Sequence, residues 1–246
     1  MKHLTAVVSL LVVLLPHSVL GSNRFVVGVE AIPYLPHYTL KKGEYSGYAR
    51  EILDRFAADQ GIEFVYRPLP VKRLFQELVT GAVDFKYPDN PNWNRQAKAD
   101  VAVSYSHSVA PYVDGVMVKP DRVGRDASEI GRLGTVRGFT PWAWMDRIGS
   151  GSVTLWENPD FVGLLRQGLA GRVGGVYANT AVANYELSNG LRADGGLVFD
   201  PALPHDRGDY QLSTTTRTDL MRAFNRWLET NADFVKTKQL AWGIIR

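Results

Sequence analysis

Leu74, Phe75, Val79, Gly81 and Val83 recur as Leu164, Leu165, Leu169, Gly171 and Val173, each 90 positions later in a chain of 246 residues. A helix, a glycine turn and a strand therefore stand twice at matching offsets. One such unit cannot cover its own apolar face, so two copies point to two similar lobes, each with a core. The alternative is that any helix-glycine-strand junction gives this match, and two copies leave both readings open.

The segments around the first copy alternate in type. Phe25 to Val29 is a short apolar run before a proline-rich turn, as a buried first strand would be. From Gly47 to Gln60, Tyr48, Ile52 and Phe56 recur every four residues, which predicts a helix that Gly61 stops. Ile62 to Tyr66 reads as strand, Pro70 opens a second helix with Val71, Leu74, Phe75, Leu78 and Val79 on one face, and Val83 to Tyr87 returns as strand. That alternation predicts a parallel sheet with helices on its faces. Tyr112 to Val118 and Leu203 to Leu212 look extended, as strands crossing between lobes would. Leu220, Phe224, Trp227 and Leu228 mark one face of a C-terminal helix, and Phe234 and Val235 begin a shorter one; both are expected to dock on the first lobe.

The chain opens with Lys2 and His3, runs apolar from Leu4 to Leu15, and reaches Val19, Gly21 and polar Ser22. This is the layout of a cleaved secretory signal peptide over residues 1–21, which puts the mature protein in the periplasm. An uncleaved anchor is the alternative, but Pro16 and His17 end the run well short of the ~20 residues a membrane span needs. With no cysteine in the chain, disulfides, a lipidated cysteine and thiolate metal sites are excluded. The 28 basic and 25 acidic residues are scattered along the chain, with no stripe of the kind that tracks phosphates, which argues against a nucleic-acid partner. The expected organisation is a monomer with lobe 1 over 22–113, lobe 2 over 114–203, and a return crossing with the last lobe 1 helices over 204–246.

Several motifs follow one another in a telling order. They are Pro33-Tyr34-Leu35-Pro36 after the first strand, Gly47-Tyr48 with Glu51 at the helix start, and Leu74 through Gly81-Ala82-Val83-Asp84. Arg95 then falls at the spacing of a Thr-x-x-Arg segment, followed by Gly134-Thr135-Val136-Arg137-Gly138, Tyr210 to Ser213 before a helix, and Trp242-Gly243. No one of these is diagnostic, but their order and spacing over nearly the whole mature chain resemble the bacterial extracellular solute-binding proteins of family 3. The resemblance implies a periplasmic-binding-protein type II fold: two α/β lobes joined by two crossover segments, with a ligand cleft between. It also implies capture of an amino-acid-like solute or organic acid for an inner-membrane ABC-type permease. Some relatives are sensor modules and a few are dehydratases.

A polar solute leaves water only where a cleft replaces its hydrogen bonds and charges. The resemblance puts Arg95 where the family pairs a guanidinium with a ligand carboxylate; its own surroundings, Asn90-Pro91-Asn92-Trp93-Asn94, suit a solvated arginine too. Tyr34 and Tyr87 fall at strand C-terminal ends, where open α/β sheets bind ligands, or else pack in the interior. Asn90 joins them from the loop after the third strand. In the second lobe, Thr135, Arg137, Gly138, Phe139 and Thr140 form a loop whose backbone N–H groups suit an anionic group. Trp142 and Trp144 follow, and at least one of them belongs to a core.

Two departures from the family stand out. Asn179 occupies the place of an aspartate that takes the ligand ammonium, and Lys86-Tyr87-Pro88-Asp89-Asn90 replaces small hydroxyl residues. Glu30 is an alternative anionic partner, or a solvated loop carboxylate. If Lys86, Arg95 and Arg137 all face the cleft, an acidic solute fits better than a zwitterion.

The expected ligand-binding set is thus Glu30, Tyr34, Tyr87, Asn90, Arg95, Arg137, Gly138, Thr140 and Asn179. His37, His107 and His205 lack metal-site spacing, and no hydrolase elbow or phosphate loop occurs, so neither cofactor nor catalytic group is expected. The rival is a lyase or dehydratase on the same fold, with Glu30 and Asp89 as its acid and base. A third reading is a sensing accessory protein that reports to a membrane partner.

Overall fold

The computed structural model describes residues 23–245, and the expected signal peptide lies outside them. The chain first forms β1 (Arg24–Glu30), β2 (Thr39–Lys41), β3 (Glu44–Ser46), α1 (Tyr48–Gln60), β4 (Glu63–Leu69), α2 (Val71–Val79), β5 (Phe85–Asp89), α3 (Arg95–Lys98) and β6 (Ser104–Tyr105). It then crosses in β7 (Ala110–Val118) to β8 (Arg132–Val136), α4 (Met145–Gly149), β9 (Thr154–Asn158), α5 (Phe161–Leu169), β10 (Gly175–Asn179), α6 (Thr180–Tyr185) and β11 (Val198–Phe199). It returns in β12 (Asp206–Thr214) and ends in α7 (Thr218–Thr230) and α8 (Ala232–Ala241).

Strand order across the molecule is β4-β1-β5-β12-β7-β10-β8-β9. β1 lies parallel to both β4 and β5, and β8 lies parallel to both β9 and β10. Between these halves β7 and β12 run antiparallel, with Asp206 to Tyr210 opposite Asp114 to Ala110. Beyond that ribbon β12 pairs with β5 in lobe 1, and β7 pairs with β10 in lobe 2. Each crossing strand is therefore anchored in the sheet of a different lobe, β12 in lobe 1 and β7 in lobe 2, and their ribbon joins the two.

The local signals act as their chemistry requires. α1 buries Tyr48, Ile52, Leu53 and Phe56, and Gly61 closes it with φ 63°, a left-handed turn that costs glycine no side-chain clash. Phe56 meets Phe224 at 4.8 Å and Trp227 at 5.9 Å, so α7 does dock on lobe 1, and Val235 of α8 joins the same core. Each such buried aromatic contributes ~1.5–3 kcal/mol through removal of its surface from water.

The repeated unit is real in space. α2 and α5 both end in a left-handed glycine, Gly81 at φ 71° and Gly171 at φ 70°. Leu74 of α2 lies 2.5 Å from where a Cβ on Gly28 would stand, and Leu164 of α5 lies 2.8 Å from one on Gly134. In each lobe a helix leucine thus sits against a bare glycine of the first strand. Of the two neighbouring tryptophans, Trp144 is fully buried and Trp142 is 68% exposed.

Candidate functional site

The C-terminal ends of β1 and β5 face those of β8, β9 and β10 across the crossing strands. Alternate residues of a strand share a face. β7 therefore presents Tyr112 and Asp114 together, and β12 presents Asp206 and Tyr210, with Asp206 directly opposite Asp114. The Tyr112 and Tyr210 rings stack at 4.7 Å, and Trp93, from the loop after β5, packs against them at 6.2 and 5.8 Å. Gly208 makes room for this stack, because a Cβ there would lie 2.6 Å from the Tyr112 hydroxyl.

The lobes meet over the same floor. Tyr34 sets its ring edge-on to Phe161 at 5.6 Å, and its hydroxyl lies 3.2 Å from that of Tyr210. Asn179 caps α6 by accepting from the N–H groups of Ala181 and Val182, and its amide nitrogen donates at 3.2 Å to both Asp114 and the Tyr210 hydroxyl. His37 is fully buried 4.9 Å from the Tyr210 ring, with neither ring nitrogen hydrogen-bonded among the described residues.

Among the groups here, Asp114 and His37 carry the shifts that bear on behaviour between acid and neutral pH. Burial lifts the Asp114 carboxyl to about 7; the Asn179 amide opposes the shift and the Asp206 charge adds to it. Asp206 is itself held by the Tyr177 hydroxyl and by the Ala143 N–H at 3.1 Å. Burial lowers His37 to about 3, although the Asn179 side chain pulls the other way.

These shifts act oppositely on stability. Asp114 binds its proton more tightly folded than unfolded, so its contribution falls as pH rises from about 4 to about 7. His37 binds its proton less tightly folded, so its contribution is lost as pH falls from about 6.5 towards 3. Thermal melts should therefore give a flatter Tm profile between pH 4 and 6.5 for the native chain than for either variant: Tm should fall with rising pH in His37→Leu and climb in Asp114→Asn. Parallel profiles in all three would refute the assignment.

The expected site residues are only partly brought together. Tyr34 and Asn179 meet at the floor. Arg95 is exposed at the start of α3, donating to the Asn92 side chain, and has no acidic partner among the described residues. Arg137, Gly138 and Thr140 are exposed in the loop after β8. Asn90 is 7% exposed, and its amide is used within lobe 1, donating to Asp209 O at 3.0 Å and accepting from the Asn92 N–H at 2.9 Å.

Two expected site residues, Glu30 and Tyr87, are corrected, and the condition that Lys86 face the cleft fails. Glu30 does not face a solute: it is buried in lobe 1, accepts from the Tyr38 hydroxyl at 2.6 Å, and has its pKa raised by burial. Tyr87 lies wholly inside the lobe 1 core. Lys86 is sealed there too, 3.3 Å from Asp89 and 4.1 Å over the Phe75 ring. Asp89 also takes Lys98 at 3.3 Å, the Ser213 hydroxyl at 2.7 Å and the Asn90 N–H at 2.8 Å. The cause is position: β5 runs between β1 and β12, and all five of its residues are buried. Glu30 and Asp89 are thus closed away from the cleft, which removes the acid and base named for a lyase.

His37, Trp93, Tyr112, Asp114, Phe161, Asp206 and Tyr210 were not anticipated. A signal existed for four of them. Tyr112 with Asp114, and Asp206 with Tyr210, stand at even spacings in the two segments already read as crossings, and even spacing on a strand means one shared face.

No family model matches the chain, and no curated protein matches it. Solved structures do match, each over 89% of the chain. An ancestral arginine-binding protein bound to arginine aligns over 98% of its own length with a TM-score of 0.66 at 18% identity. The arginine-, lysine-, histidine-binding protein ArtJ of Geobacillus stearothermophilus aligns over 94% with 0.66 at 17%. The ancestral amino acid-binding protein AncCDT-1, a precursor of cyclohexadienyl dehydratase, aligns over 95% with 0.67 at 17%. The fold is that of the type II periplasmic binding proteins. No helix among the described residues is long and apolar enough to cross a membrane.

Proposed function

We propose that this chain is a periplasmic solute-binding protein that closes its lobes on a small amino-acid-like solute bearing both an ammonium and a carboxylate, and presents it to an ABC-type importer. The reading rests on Asp114. Asn179 lacks the charge that a ligand ammonium needs, and its direct partner on the neighbouring strand is this aspartate. Trp93 and Tyr112 beside it offer ring faces to a cation, an interaction of ~0.5–2 kcal/mol. Arg95 and the loop from Arg137 to Thr140 then meet the carboxylate as the rims approach. The likeness to structures named for binding arginine, lysine and histidine supports a cationic solute. Two carboxyls on the floor, and a buried Lys86, disfavour a dicarboxylate.

Isothermal titration calorimetry tests this with arginine, lysine, their decarboxylated amines and glutarate. A basic amino acid should bind and glutarate should not compete. Asp114→Asn should weaken binding ~10- to 100-fold, the value of one charge-assisted hydrogen bond. Arg95→Ala should weaken the amino acid comparably and leave the amine unchanged. Because only ionised Asp114 attracts the cation, affinity should fall by up to ~tenfold per pH unit below about 7, and Asp114→Asn should abolish that slope. Tight glutarate binding indifferent to Asp114→Asn would refute the proposal.

A second reading, a lyase, keeps one favourable observation: a cleft carboxyl near 7 is suited to proton abstraction at neutral pH. Recovery of the bound solute unchanged after long incubation, followed by NMR, separates binder from enzyme.

A further inference from the structure

At the end of lobe 2 away from the cleft lies a recess of about 580 Å³, formed by the start of β8, the turn before β10 and the end of β7. Lys119, Arg122, Arg125, Arg132 and Arg172 line it, with Asp121 as the one acid in its wall. Glu129 pairs with Arg125 at 3.3 Å and lies 4.0 Å from Arg122. Lys119, Arg132 and Arg172 have no acidic partner within 4.0 Å among the described residues, and the Arg122 Nε is buried without a hydrogen bond. Lys119 reaches over Gly171, its ammonium 3.3 Å from where a Cβ would stand, so the glycine leaves the recess open to it.

Five cations in the wall, set against Asp121 and the neighbouring Glu129, leave an excess of three charges, as large as the net +3 of the whole chain. A sphere of that volume is about 10 Å across, close to one screening length at physiological salt, so neighbouring cations still repel one another through it. Such an arrangement is relieved by a multivalent anion, and guanidinium groups are shaped to grip the oxygens of a phosphate two at a time. We propose that the recess binds a phosphate-bearing anion, either a free phosphorylated solute or an anionic lipid headgroup. The site is separate from the cleft: β10 runs from Gly175 at the recess to Asn179 at the floor, a distance of ~13 Å at strand spacing.

The test uses the intact chain with two probes: pyrophosphate by calorimetry, and flotation with vesicles of phosphatidylglycerol and phosphatidylcholine in equal parts. Arg132→Glu with Arg172→Glu alters the recess, and Lys72→Glu with Arg222→Glu makes the same charge change on lobe 1, where these residues are exposed. At least one probe should bind the native chain. The recess variant should lose ~tenfold or more, the worth of one or two charge-assisted bonds, and the lobe 1 variant should keep its affinity within ~threefold. Pyrophosphate binding marks a free anion as ligand, and binding of vesicles alone marks a headgroup. Solute affinity at the cleft should stay unchanged in both variants, so this result does not depend on the function proposed above. Failure of both probes to bind the native chain, or equal losses in the two variants, would overturn the site.

Discussion

Asp89→Ala should lower stability by ~3–5 kcal/mol and Tm by roughly 10 °C, because it strands a buried cation. The Asp89 carboxylate gathers Lys86, Lys98, the Ser213 hydroxyl and the Asn90 N–H, and neither Asp89 nor Lys86 has any exposed side-chain surface. Removing it leaves Lys86 with the Pro88 carbonyl, the face of Phe75 and the more distant Glu30. Two charges taken out of water together are tolerable; one alone is not. The double change Lys86→Met with Asp89→Leu should therefore recover much of the loss. Thermal and urea denaturation measure both. A Tm within ~2 °C of native for Asp89→Ala would mean that burial, which lowers the Lys86 pKa, has already made the lysine neutral.

Gly47→Ala should cost nearly as much, ~3–5 kcal/mol, for a reason of shape. Gly47 has φ 111°, which side-chain-bearing residues rarely adopt, and an added Cβ would lie 2.7 Å from the Tyr38 Cα and 3.0 Å from the His37 carbonyl oxygen. Both are backbone atoms and cannot rotate away. The displaced segment carries Tyr34 and His37 to Tyr210, so solute affinity should fall with Tm. Gly43→Ala is the control: φ is 84° but nothing lies within 4 Å of the new atom, which leaves backbone strain of ~1 kcal/mol alone. Equal melting temperatures for the two variants would show that the segment yields to the clash.

Much of the architecture could be read from residue spacing, since helices and exposed strands announce themselves by period. The face of α1, its stop at Gly61, the docking of Phe224 and Trp227, and the duplicated unit all follow from local pattern. What failed depended on strand order, which no local pattern carries. Glu30, Lys86 and Tyr87 looked available to a solute because a polar strand end usually is, but β1 and β5 each lie between two other strands. Asp114 looked like one polar residue in a crossing segment until pairing set it beside Asn179 and opposite Asp206. The basic residues read as scattered for the same reason: Lys119 and Arg172 are distant in the chain, and only the fold puts them in one recess.

The antiparallel ribbon of β7 and β12 has a mechanical consequence. Its ladder is complete between the lobes, and each strand runs on into a different body, so rotation of one body against the other can be taken up as added or relaxed twist spread along several residues. No rung need break. The motion is then elastic and repeatable, a torsion spring instead of a latch, which is what the proposed cycle of capture and release would need of its middle.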